Sequence, residues 1–145
     1  MKAQMRHNIH KAVRPMTADE LMFFSGREGA LALYAALREG IMLLWPETEI
    51  RVARTQITFR ERYGYAFVST RSMLRGWPEV FIVLSFGLGR ELRSERIFAA
   101  VEPYPGRWTH HMCVTDTAEL DDELFSFLAE AHEFALFKPG HGPRR

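Results

Sequence analysis

The sequence predicts an α+β domain: an antiparallel sheet of four to five strands, with two N-terminal helices and one C-terminal helix packed on one face. Three observations carry this. Apolar residues recur at helical spacing towards both ends of the chain, at Ala30, Leu33, Leu37, Ile41 and Leu44, and again at Leu120, Leu124, Phe127, Leu128, Ala131 and Phe134. Between these runs, short segments rich in β-branched and aromatic residues are punctuated by Gly and Pro, as strands and turns are. The turns are too short to hold crossover helices, so successive strands pair antiparallel. The length, 145 residues, suits one domain, and an apolar content of 47% excludes wholesale disorder.

The elements follow in order. In "MTADELMFF", Thr17 with Glu20 three residues later forms a capping box that opens a short helix. Ser25 with Glu28 suggests a second box and a longer helix to Leu44, where Trp45-Pro46 stops it. Gly40 inside that helix costs about 1 kcal/mol against Ala, so it should mark a kink or a close backbone approach. "TEIRVAR" is a first strand, and "TQITFRERYGYAFVSTR" is two strands turning near Tyr63-Gly64. "VFIVLSFGL" is apolar at nearly every position, as a central strand covered on both faces is. The segment from Ser94 to Val101 reads equally as a short helix or an irregular strand. "RWTHHMCVT" is the last strand, and Asp116 or Thr117 caps a helix running to about Phe137. Residues 1–15 and 138–145 read as flexible tails around a single domain, 16–137.

The net charge of +1 is unevenly spread. The two tails hold seven of the nineteen basic residues and no acid, leaving a body with twelve basic residues against eighteen acids. Basic tails of this kind are read as solvated ends. The lone Cys113 has no internal disulfide partner, which suits a reducing compartment, the cytoplasm. No apolar run approaches the ~20 residues that span a bilayer, and the N-terminus lacks the apolar core of a secretory signal.

The segment Arg51 to Arg75 holds six arginines and a single acid, Glu61. Arg54, Gln56, Thr58, Arg60 and Arg62 share one strand parity, opposite Ile57 and Phe59. The apolar parity slips between Val52 and Arg54, so a turn or bulge belongs there. In "GRWTHHMCVT" the adjacent His110 and His111 point to opposite faces. Trp108, His110, Met112 and Val114 form the larger apolar set and belong to the core; His110 is then a buried, hydrogen-bonded imidazole. His111 joins Cys113 on the uncovered face. Guanidiniums fit carboxylates and phosphates. Arg54, Gln56, Thr58, Arg60, Arg62, Arg107 and His111 are therefore the candidate binding residues, for a small anionic ligand or an acidic protein surface.

Competing chemistries are weaker. His111 and Cys113 could share an ion, but zinc needs three or four ligands, and neither Cys-x-x-Cys nor His-Glu-x-x-His is present, so no metal is expected. Residues two apart on one strand, roughly 6 to 7 Å between Cα atoms, are poorly placed for a Cys–His nucleophile pair. No phosphate loop, dinucleotide glycine pattern or nucleophile elbow occurs, and no cofactor is expected. Nucleic acid is not favoured, because no recognition helix accompanies the aromatics near the arginines. Two alternatives stay open. One is a hydrolase-like enzyme using His111 as base, with Gln56 or Arg107 as electrophilic support. The other is an interaction module with no small-molecule site, such as a homodimer joining the basic face to the acids of the last helix.

The segments "FFSGREGALALYAAL", "ARTQITFRERYGYAFV", "LSFGL", "VEPYPGRWTHH" and "LDDELFSFLAEAHEF" together resemble an uncharacterised bacterial family of domains of unknown function, some labelled predicted transport proteins. The resemblance spans about residues 21 to 135, with "TQITF" and "GRWTHH" as its signature segments. It implies no activity. The family pattern carries a lysine where this chain has Arg54; the change keeps the charge but rules out a nucleophilic lysine there.

Overall fold

The computed structural model describes residues 14–73 and 75–139. The tails expected to be flexible lie for the most part outside the described residues, at 1–13 and 140–145. Two helices, α1 (Ala18–Phe23) and α2 (Glu28–Leu44), precede six strands: β1 (Glu49–Val52), β2 (Ile57–Arg60), β3 (Gly64–Ser69), β4 (Ile82–Leu88), β5 (Ile97–Tyr104) and β6 (Arg107–Val114). A 3₁₀ turn, Thr117–Glu119, leads into α3 (Asp122–Phe137). The fold class is α+β. The sheet has six strands rather than four or five, because the ambiguous segment after Ser94 is a strand.

The caps explain the helix starts. Thr17 and Glu20 form the expected reciprocal box. The second expected box is absent: Arg27 precedes α2 without a side-chain cap, and Gly26 at φ +76° turns the chain between the helices. Asp116 caps the 3₁₀ turn, whereas Asp121 caps α3 by accepting the Leu124 amide. A Cβ at Gly40 would lie 2.4 Å from the Phe125 ring, so the glycine admits a side chain of α3, not a backbone.

The strand order is β1-β2-β3-β4-β6-β5, with every neighbouring pair antiparallel. β6 lies between β4 and β5, so the connection 89–96 must cross it. It does so on the helix side. Arg90 grips Glu130 of α3 through two 2.8 Å bonds, and Arg96 bridges Asp121 and Glu123 at 2.9 and 3.0 Å. The core fills the space between helices and sheet: Tyr34 of α2 stacks on Phe59 of β2 at 6.0 Å, and Phe86 of β4 on Phe127 of α3 at 6.0 Å. Each such aromatic buries 150–250 Å², roughly, and burial on that scale carries most of the stability.

One buried polar cluster ties α1 to α2. The Glu20 carboxylate, 1% exposed, accepts the Tyr34 hydroxyl and Arg38 Nε, the latter at 2.8 Å. Arg38 also donates to the Arg14 carbonyl at 2.8 Å. A buried charge is tolerated only when paired and hydrogen-bonded in this way.

Candidate functional site

The helices cover one face of the sheet, and the register fixes what projects from the other. Arg51, Thr58, Phe67, Ser85, His111 and Ala99 are successive cross-strand partners, forming one row across all six strands. Ile57 and Phe59 point into the core, so Thr58 and Arg60 project from the helix-free face. His110 and His111 separate as strand alternation requires. His110 is fully buried, stacked on Phe86 at 5.3 Å, and its Nε2 accepts the Leu92 amide at 2.8 Å. That bond leaves the ring proton on Nδ1, which is buried without a well-aligned partner. Burial pushes the His110 pKa down, against a smaller opposing effect from the Phe86 backbone.

His111 meets a partner that strand parity alone does not reveal. Its Nδ1 lies 2.6 Å from Ser85 Oγ across the β4–β6 pair, and its ring stacks on Phe98 at 5.9 Å. Burial lowers the His111 pKa, so the ring is neutral near neutral pH. Trp77, from the β3–β4 loop, sets its edge against Phe81 and Phe98 at 5.0 Å each. One end of this face is therefore covered: Val83 shares the parity of Ser85 yet is 1% exposed. Next to Ser85 on this face stands Gly87, where a Cβ would meet only the Trp108 carbonyl oxygen within 4 Å, at 3.7 Å, with Thr109 as its cross-strand partner.

The seven candidate residues divide into three groups. Arg54 and Gln56 sit exposed in the β1–β2 turn, which closes with the Ala53 amide donating to the Gln56 carbonyl at 2.9 Å; this is the slip expected after Val52. Thr58, Arg60 and His111 share the helix-free face, but β3 and β4 lie between β2 and β6. Three interstrand spacings of about 4.8 Å make about 14 Å, so they do not converge on one small group. Arg60 reaches Glu49 at 3.6 Å and the Arg62 carbonyl at 3.2 Å. Arg62 and Arg107 leave this face. Arg62 donates to the Leu136 and Lys138 carbonyls, and Arg107 to the Pro139 carbonyl, at the end of α3. β2 ends at Arg60, so the arginine parity read through to Arg62 is broken by the turn that follows.

A sequence model of a domain of unknown function, DUF5655, matches residues 22–135, from the end of α1 to the last turns of α3. The chain belongs to the DUF5655 family. No curated protein and no solved structure matches it. The match takes in every strand of the sheet and the whole helix-free face. In this DUF5655 domain the polar groups missed by sequence reasoning are Ser85 and the Glu61–His132 pair. Their Nε2 to Oε2 distance is 2.5 Å, with His132 stacked on Trp45 at 4.9 Å. Ser85 carries a local signal, as the lone hydroxyl in the apolar run "FIVLSFGL". Glu61 and His132 are seventy-one residues apart and carry none. No helix among the described residues is long and apolar enough to cross a membrane.

Proposed function

We propose that this domain is a binding module whose helix-free sheet face docks an extended acidic segment of a protein partner. The carrying observation is the spacing of same-face groups: Arg51 and Arg60 on β1 and β2, and Ser85 and His111 two and three strands beyond β2, about 10 and about 14 Å away, with Phe67 between. A single phosphate or carboxylate reaches one end only; a chain of carboxylates reaches both. Charge supports the reading. The acids of α3 lie on the covered side, where Arg90 and Arg96 engage Glu130, Asp121 and Glu123. On the strands of the open face Glu49 is the acid beside Arg51 and Arg60, at 3.9 and 3.6 Å. Exposed pairs of this sort are worth about 0–1 kcal/mol, so a partner carboxylate can displace Glu49.

Fluorescence anisotropy with a labelled glutamate-rich peptide tests this. Arg60→Gln together with Arg51→Gln should weaken binding roughly tenfold or more, since charged hydrogen bonds contribute ~1.5–3 kcal/mol. Affinity should fall with added salt. Unchanged affinity in the double variant sinks the proposal.

A second reading has its own observation, the 2.6 Å contact between Ser85 Oγ and His111 Nδ1. In a hydrolase, Ser85 would attack a carbonyl carbon while its proton passed to His111 and then to the leaving group. A fluorophosphonate probe tests it: covalent labelling of Ser85, lost in His111→Asn, selects the hydrolase reading, and an unlabelled Ser85 removes it.

A further inference from the structure

The end of α3 gathers a second set of groups, independent of the docking face. Arg62 from the β2–β3 turn and Arg107 from the start of β6 donate to the carbonyls of Leu136, Lys138 and Pro139. This is expected at a helix C-terminus, where carbonyls lack amide partners and the dipole favours cations. Lys138 is different. Its half-buried ammonium lies 5.0 Å from the Tyr63 ring centre and 5.5 Å from that of Phe134. Among the described residues it has neither a hydrogen bond nor a carboxylate partner. Arg62 lies over the same Tyr63 ring at 4.9 Å. Burial, then the charge of Arg107, pushes the Lys138 pKa down.

Beside Lys138 opens a cleft of about 490 Å³, lined by Gly89, Glu130, Glu133, Phe134, Phe137 and Lys138. A Cβ at Gly89 would stand 3.0 Å from the Phe134 ring, so the absence of a side chain there makes room for that ring. Phe137 is 76% exposed and presents an apolar ring at the edge of the cleft. Of the two lining acids, Glu130 is already held by Arg90.

We propose that this cleft binds a small ligand with an anionic head and a flat apolar body, an aryl phosphate or aryl carboxylate. The head takes the ammonium of Lys138. The body lies against Phe134 and Phe137.

The test is calorimetric titration of the full chain with 1-naphthyl phosphate, with 1-naphthol as body alone and inorganic phosphate as head alone. The aryl phosphate should bind at least tenfold more tightly than either fragment. Lys138→Met and Phe137→Ser, both at the helix end and outside the buried core, should each weaken it at least fivefold, whereas the exposed Arg75→Gln should leave it unchanged. Absent binding, equal binding of 1-naphthol, or full affinity in Lys138→Met would each overturn the proposal. The glutamate-rich peptide is read separately, so either proposal can fail without the other.

Discussion

Glu20 shows how much one side chain can carry. Burial alone would raise its pKa, but hydrogen bonds from Tyr34, Arg38 and the Thr17 amide outweigh that and hold it below the usual 4.5. The depressed value means that the folded state gives up stability as acid protonates the carboxylate. The contribution is whole above pH 4.5 and is lost as pH falls below it. Urea midpoints of the wild type should therefore drop below pH 4.5, and those of Glu20→Gln should follow a flatter course there. At neutral pH Tyr34→Phe should cost about 1–3 kcal/mol, because it strips a donor from a buried charge. A loss within experimental error would mean that the hydroxyl is idle. The capping role of Glu20 was legible in "TADE", since it is a contact over three residues. Its bonds to Tyr34 and Arg38 span fourteen and eighteen residues and depend on how two helices meet.

At the scale of elements, the least legible segment was β5. Pro103 and the charges around it speak against a strand, yet the segment lies at the sheet edge, where a missing amide costs no ladder bond. Its register shifts twice against β6, which breaks the alternation that sequence patterning relies on. Gly40 is the converse case, visible in sequence but misjudged in purpose. Gly40→Ala improves helix propensity by about 1 kcal/mol. It also drives a methyl to 2.4 Å from Phe125, an overpacking worth ~1–3 kcal/mol. We expect a net loss of about 1 kcal/mol by urea unfolding. A gain in stability would show that Phe125 swings aside freely.

At the scale of the molecule, the sheet separates two histidines that are neighbours in sequence, and both are held below the ordinary imidazole value of 6.5, chiefly by burial. Below pH 6.5 the unfolded chain binds protons that the folded one resists, so stability should decline as pH falls below that value. His111→Asn, which keeps a polar partner for Ser85, should lessen that slope. A slope equal to that of the wild type would place the effect elsewhere. The same separation sets the character of the proposed docking face. Thr58 and His111 share it because their parities agree, yet they stand apart because β3 and β4 intervene.

The sequence by itself determined the periodic features: the helices, the core-facing parity of β2 and β6, the turn after Val52 and the opposite fates of His110 and His111. All of these follow from repeats of 3.6 or 2 residues, which local chain geometry imposes. Tertiary structure alone decided the strand order, the Ser85–His111 contact, the Glu61–His132 pair and the departure of Arg62 and Arg107 to the end of α3. Those depend on which strands lie side by side and where α3 stops, and no local period encodes either.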